Sequence, residues 1–437
     1  MTTERRLERD LPQILGDLAM GSYPDYIDDV LAMTAQRRQR AAWTFPERWL
    51  PMVDIARQPV LAPRLPWRLI SIAALTIALL LVAAAVFIGS QPRLPAPFGI
   101  ARNGLIAYDA GGDIYVADPE TGEASAIVSG PETDVAPRYS PDGTHIAFER
   151  TLDTGLGQLY VIRSNGTGLT LITPDPLKLT EPLLGEPWEP YQFSPDGRSV
   201  LIAVAEGSKA TISIAQSDGS GIRRLDVGMW AYEPSFRPPD GAEILFVGNP
   251  GIVGKAHGLY AVEPSTGTVR TILEPSPVLD VAGAAWSPDG SRVAYWAWGG
   301  QAEGINARVH VISADGTSDR LLPAPSDAVW QATFAWSNDG SRLFVLRGYT
   351  PGFEDVRPVV IPADGRSSGV EFRVPRAFNG NCCANWEWAP DDSRVLGTPA
   401  NAAGEPVQQV IIDPETGVTQ PAPWTSTSDP TWQRLAP

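Results

Sequence analysis

From about residue 104 onward, apolar and polar positions alternate in short runs. This is the two-residue period of strands with one buried face. Runs such as LYVIRSNGTGLTLI, ISIAQSDGSGIRRL, LYAVEPSTGTVRTI, VHVISADGTSDRLL and VVIPADGRSSGVEF each read as strand, Gly-containing turn, strand. A second signal falls between them. In Trp286-Ser287-Pro288-Asp289-Gly290 an aromatic residue closes one alternating run, and SRVAYWAW opens the next. Ser, Pro and Gly at the first, second and fourth positions suit a type I turn. Pro pre-sets its own φ, and the Ser or Asp side chain bonds to nearby backbone. Each such turn therefore joins two antiparallel strands.

The signal recurs in phase. It stands at Tyr139–Gly143, Phe193–Gly197, Trp286–Gly290 and Trp336–Gly340, with one residue inserted at Phe236–Gly241. It has lost its Gly at Trp388–Ser393 and keeps only the aromatic at Trp432. The period is about 50 residues, that of a four-stranded propeller blade. The stretch Gly104–Val128 holds three strands and no such turn, while DPTWQRLAP at the end holds one. Three plus one complete a blade, so the last strand is predicted to pair with the first three and close the ring. Six full units and the shared one predict an all-β, seven-bladed β-propeller. The inserted and degraded copies leave six or eight blades open.

The aromatic-SPDG repeat resembles the TolB-type, WD-like β-propeller repeat of bacterial proteins, over about residues 101–437. The resemblance implies a propeller and no particular activity, because this scaffold hosts many functions.

The 41 Gly and 42 Pro fit a turn-rich β protein, and two Cys exclude a disulfide framework. The formal net charge of −16 lies almost wholly beyond residue 68, which argues against nucleic-acid binding. Leu69–Gly89 is an uncharged apolar run. As a helix it would be roughly 31 Å long, enough to cross a hydrocarbon core of about 30 Å. Arg48, Arg57, Arg64 and Arg68 precede it, against Arg93 and Arg102 after it. The positive-inside rule then predicts a cytoplasmic N-terminus and an extracytoplasmic propeller at the cell membrane. The expected divisions are a helical segment 1–66, a span 67–89, a Pro-rich stalk 90–100 and the propeller 101–437.

Within the first segment Leu7, Leu11, Ile14, Leu15 and Leu18 share one helix face. The stripe suits recognition by a cytoplasmic protein, and packing on a second helix or on the membrane explains it equally well. Its arrangement before a single span and an external domain resembles that of membrane-bound anti-sigma factors, which implies a sigma factor as partner. The His/Cys zinc set found in many of these is absent, since residues 1–68 contain neither residue.

Other chemistry is sparse. Gly365-Arg366-Ser367-Ser368-Gly369 matches a nucleophile-elbow pattern, but it falls in a hairpin turn and no His follows it. His145 and His310 lie in strand patterns, and His257 lies in a Gly-rich loop expected to face solvent. Asp109–Asp113 reads as a polar hairpin in preference to a calcium loop. Cys382 and Cys383 form a candidate redox pair, with two small loop residues as the simpler reading. No cofactor and no metal site is predicted. The sequence thus predicts a membrane-anchored, non-enzymatic module that binds or senses a protein or ligand. The alternative is an extracytoplasmic lyase or hydrolase working through the propeller funnel.

Overall fold

The computed structural model describes residues 70–80, 96, 98–179, 190–206, 209–250, 256–299, 306–351, 355–372, 385–398 and 407–436. The chain divides into two units, Met1–Ser90 and Gln91–Pro437. In the first, one helix, α1, is described over 70–80, with its side chains exposed. Its length is about 16 Å, half of a hydrocarbon core. No helix among the described residues is long and apolar enough to cross a membrane. The span expected over Leu69–Gly89 is therefore not found. The rest of that run lies outside the described residues, as do Leu7, Leu11, Ile14, Leu15 and Leu18.

The second unit is built of seven four-stranded antiparallel sheets. The strands of the first three sheets are β4–β7 (Thr133–Tyr139, His145–Thr151, Gly157–Arg163, Thr170–Leu171), β8–β11 (Tyr191–Phe193, Ser199–Glu206, Lys209–Gln216, Ile222–Leu225) and β12–β15 (Trp230–Phe236, Ile244–Asn249, Gly258–Val262, Val269–Leu273). Next come β16–β19 (Leu279–Trp286, Arg292–Gly299, Ala307–Ser313, Arg320–Leu321) and β20–β23 (Trp330–Trp336, Arg342–Gly348, Val356–Pro362, Val370–Glu371). The sixth sheet is β24–β27 (Asn385–Trp388, Val395–Thr398, Val407–Ile412, Thr419–Ser426). The seventh runs β28-β1-β2-β3, with β28 at Thr431–Leu435 and β1–β3 at Arg102–Ala110, Asp113–Ala117 and Ala124–Val128. Ile106 pairs with Trp432 and Ala107 with Thr431, which closes the ring as expected. It is a seven-bladed β-propeller.

The repeated turn works through its Ser. Ser287 Oγ donates to Asp289 Oδ1 at 2.5 Å and accepts from the Arg292 amide at 3.0 Å, while Gly290 N donates to Ser287 O at 2.8 Å. The same set recurs at Ser194 and Ser337. The Gly has two reasons to be Gly. Its φ is +67° at Gly290, and a Cβ there would stand 2.0 Å from the Pro238 carbonyl of the preceding blade. The aromatic before the turn also reaches backwards. Trp336 Nε1 donates to Ala285 O at 3.3 Å and Trp388 Nε1 to Ala335 O at 3.0 Å. Arg237, Arg292 and Arg342 lie over Trp286, Trp336 and Trp388 at 5.1, 5.1 and 4.9 Å. One five-residue signal thus makes both the turn within a blade and the seam between blades. The buried apolar clusters sit in these seams, as with Leu245, Val247, Val281 and Tyr295 between the third and fourth blades.

Candidate functional site in the central channel

At the turn end, the first strands of five blades (β4, β8, β20, β24 and β28) line a cavity of about 290 Å³. Two positions before the turn, the lining side chains are Arg138, Gln192, Ala335, Glu387 and Thr431, one from each of these five blades. Several of these polar groups are tied to neighbouring strands. Gln192 Oε1 accepts from Phe236 N at 3.1 Å, and Glu387 Oε1 accepts from Trp432 N at 3.1 Å. Arg138 Nη1 donates to Asp429 O at 2.8 Å, with Asp429 Oδ2 at 3.8 Å from Nη2. These bonds stitch successive first strands together around the axis.

Glu233 behaves differently. It sits at a bulge of β12, between Tyr232 and Ser235 in the register, with φ +50°. Ala136 holds the corresponding place in β4 with φ +55°, so the left-handed backbone belongs to the bulge. The residue as a whole keeps some exposure, yet its carboxyl is enclosed. That enclosure pushes the carboxyl up to about 8, opposed only by a hydrogen bond from the Ala284 amide. No cation among the described residues pairs with it. Its carboxyl lies over Gly283: a Cβ added there would stand 3.1 Å from Glu233 Oε2 and 2.5 Å from Trp296 Nε1. Ser235 Oγ, two residues on, is buried with no hydrogen-bond partner among the described residues. The small run Val281-Ala282-Gly283-Ala284-Ala285 leaves the room these groups occupy.

At the opposite end, where the first strands begin, His257 is not the solvent-facing loop residue expected. Its side chain keeps 17% exposure, because Asp280 Oδ1 accepts from both its backbone N, at 2.7 Å, and its Nδ1, at 2.8 Å. Its Nε2 lies 3.4 Å from Asn249 Nδ2. That geometry makes the ring a satisfied brace between β13, β14 and β16. His310 stacks on Tyr295 at 4.9 Å and His145 lies beside Thr144, both in the strand settings expected.

The remaining candidates separate. Asp109 is fully buried, and its Oδ1 accepts from Ser426 Oγ at 2.7 Å and Ser428 N at 3.0 Å, so it ties β1 to β27 beside an ordinary hairpin. Gly365–Gly369 is the β22–β23 turn, where Gly365 N donates to Pro362 O at 2.9 Å. Cys382 and Cys383 fall in the β23–β24 connection, outside the described residues. Among the described residues no group of three His, Cys, Asp or Glu is placed to hold a metal. Sequence reasoning missed Glu233. The available signal was a Glu before Pro inside the strand WAYEPSF, where the two-residue pattern calls for a smaller side chain.

No protein-family model matches the chain. A curated peptidase of uncharacterized function from Bacillus subtilis (strain 168), YuxL, is 29% identical over 100 residues. The match spans 23% of this chain and 14% of that protein. Among solved structures, an oligogalacturonate lyase in complex with manganese superposes with a TM-score of 0.52 at 16% identity, over 74% of this chain and 85% of its own. A prolyl endopeptidase structure gives 0.51 at 14% identity, over 76% of this chain and 50% of its own. TolB from Acinetobacter baumannii gives 0.43 at 17% identity, over 78% and 68%. The two higher scores show a shared fold. These likenesses to a lyase, an endopeptidase and a peptidase overturn the expectation that the chain is not an enzyme. A site assembled from single residues on separate blades would leave no local motif for the sequence to display.

Proposed function

We propose that the chain is an enzyme of the lyase or hydrolase type that handles its substrate in the propeller's central channel. The observation that carries this reading is Glu233, an enclosed carboxyl at the bulge of β12, the first strand of its blade, with no cation among the described residues beside it and pushed up to about 8. Such a group is protonated at neutral pH and able to give its proton to a leaving oxygen. Elimination and hydrolysis both need that transfer.

The test is turnover by the full chain of uronic-acid oligosaccharides and of peptide amides, compared with Glu233→Gln. Loss of about a hundredfold or more in the variant, with its melting intact, supports the reading. Equal turnover in both proteins, or none in the wild type, overturns it.

The placement of the propeller outside the cell membrane is a further proposal that rests on the Arg asymmetry and on the apolar run Leu69–Gly89. Protease added outside spheroplasts would then degrade the propeller and spare an N-terminal tag. The contact between the Leu7–Leu18 stripe and a sigma factor is likewise a proposal from the sequence. A pull-down with residues 1–66, wild type against Leu11→Asp with Leu15→Asp, tests it.

A further inference from the structure

Residues just ahead of β1 reach the turn end of the channel. Phe98 lines the cavity there, beside Trp336, Trp388 and Asn338. Arg434, on β28, holds the segment by its main chain. Its Nη2 donates to the Gly99 carbonyl and lies 3.4 Å from the Ala96 carbonyl, while Nη1 is fixed by Asn338 Oδ1 at 2.7 Å. Two backbone carbonyls and one aromatic side chain are what a site for an extended peptide reads. The fit is incomplete: Phe98 lines a cavity of about 290 Å³, and Arg434 Nε is buried without a partner among the described residues. Gly99 adopts φ +87° with nothing within 4 Å of a Cβ position, so little packs on the segment there.

We propose that the turn-end mouth of the channel is a binding site for an extended peptide bearing an aromatic residue, occupied in this chain by its own Ala96 and residues 98–100. The reading is independent of catalysis. Arg434 supplies sequence-independent grip through the carbonyls, and the aromatic pocket supplies selectivity.

The experiment measures binding of a fluorescent peptide copying residues 94–100 to the full chain by anisotropy. In Phe98→Ala the mouth loses its own anchor and should bind the peptide at least about tenfold more tightly than the wild type. A peptide carrying Ala in place of its Phe should bind about tenfold more weakly. This second arm needs no change to the protein, so a folding defect cannot mimic it. Phe98→Ala that melts like the wild type yet binds no more tightly, or equal binding of the Phe and Ala peptides, overturns the proposal.

Discussion

Replacing Glu233 by Gln tests whether the bulge of β12 holds a neutral acid. The folded carboxyl is pushed up to about 8 from an ordinary 4.5. A folded value above the unfolded one means that stability is fully present below about pH 4.5 and is lost as pH rises through about 8. Taken at about 1.4 kcal/mol per unit, the interval is worth about 5 kcal/mol as an upper bound. Water in the channel and relaxation of the bulge reduce this, and about 2–3 kcal/mol is the magnitude to look for. Gln keeps the shape and the acceptor for the Ala284 amide, and it does not titrate. Every other group titrates alike in both proteins, so the difference between them isolates Glu233. Melting followed by circular dichroism should give matching midpoints near about pH 4.5. Near about pH 9 the Gln variant should melt about 4–6 °C above the wild type, at about 2 °C per kcal/mol. Parallel curves across that range would refute the claim that the carboxyl is enclosed and unpaired.

Four further outcomes are expected. Deleting residues 429–437 removes β28 and the buried Trp432, so the truncated propeller should lose its cooperative melting transition; a protein that melts like the parent would contradict the closure. Gly290→Ala, whose Cβ would meet the Pro238 carbonyl at 2.0 Å, should cost about 3 kcal/mol in urea unfolding, whereas Gly155→Ala, with open space at a similar φ, should cost about 1 kcal/mol. Trp388→Phe forfeits the bond from Nε1 to Ala335 O and part of the stacking under Arg342, and should cost about 1–2 kcal/mol by the same measurement. Any turnover that relies on Glu233 should fall on the alkaline side with an apparent value of about 8, and a flat profile there would remove Glu233 from the reaction.

What the sequence determined by itself is local or periodic. Ser287, Pro288, Asp289 and Gly290 make their turn through bonds within six residues, so the turn is legible wherever the letters stand. Strand alternation needs only neighbouring positions, and the period of about 50 residues carries the blade size with it. The incomplete units at Gly104 and Trp432 gave the closure, because a propeller tolerates no unpaired first or last strand. What only the tertiary structure decided depends on partners far apart in the chain. Glu233 is an unremarkable Glu until β12 bulges, β16 presents Gly283 opposite, and enclosure removes the water that would keep it charged. His257 reads as a loop residue until Asp280 arrives from the next blade. Gly99 reads as part of a stalk until Arg434, more than three hundred positions later, donates to its carbonyl. Pattern and turn chemistry are written within a blade; channel, brace and mouth exist only where separate blades meet, and their energies come from burial and geometry that no single segment encodes.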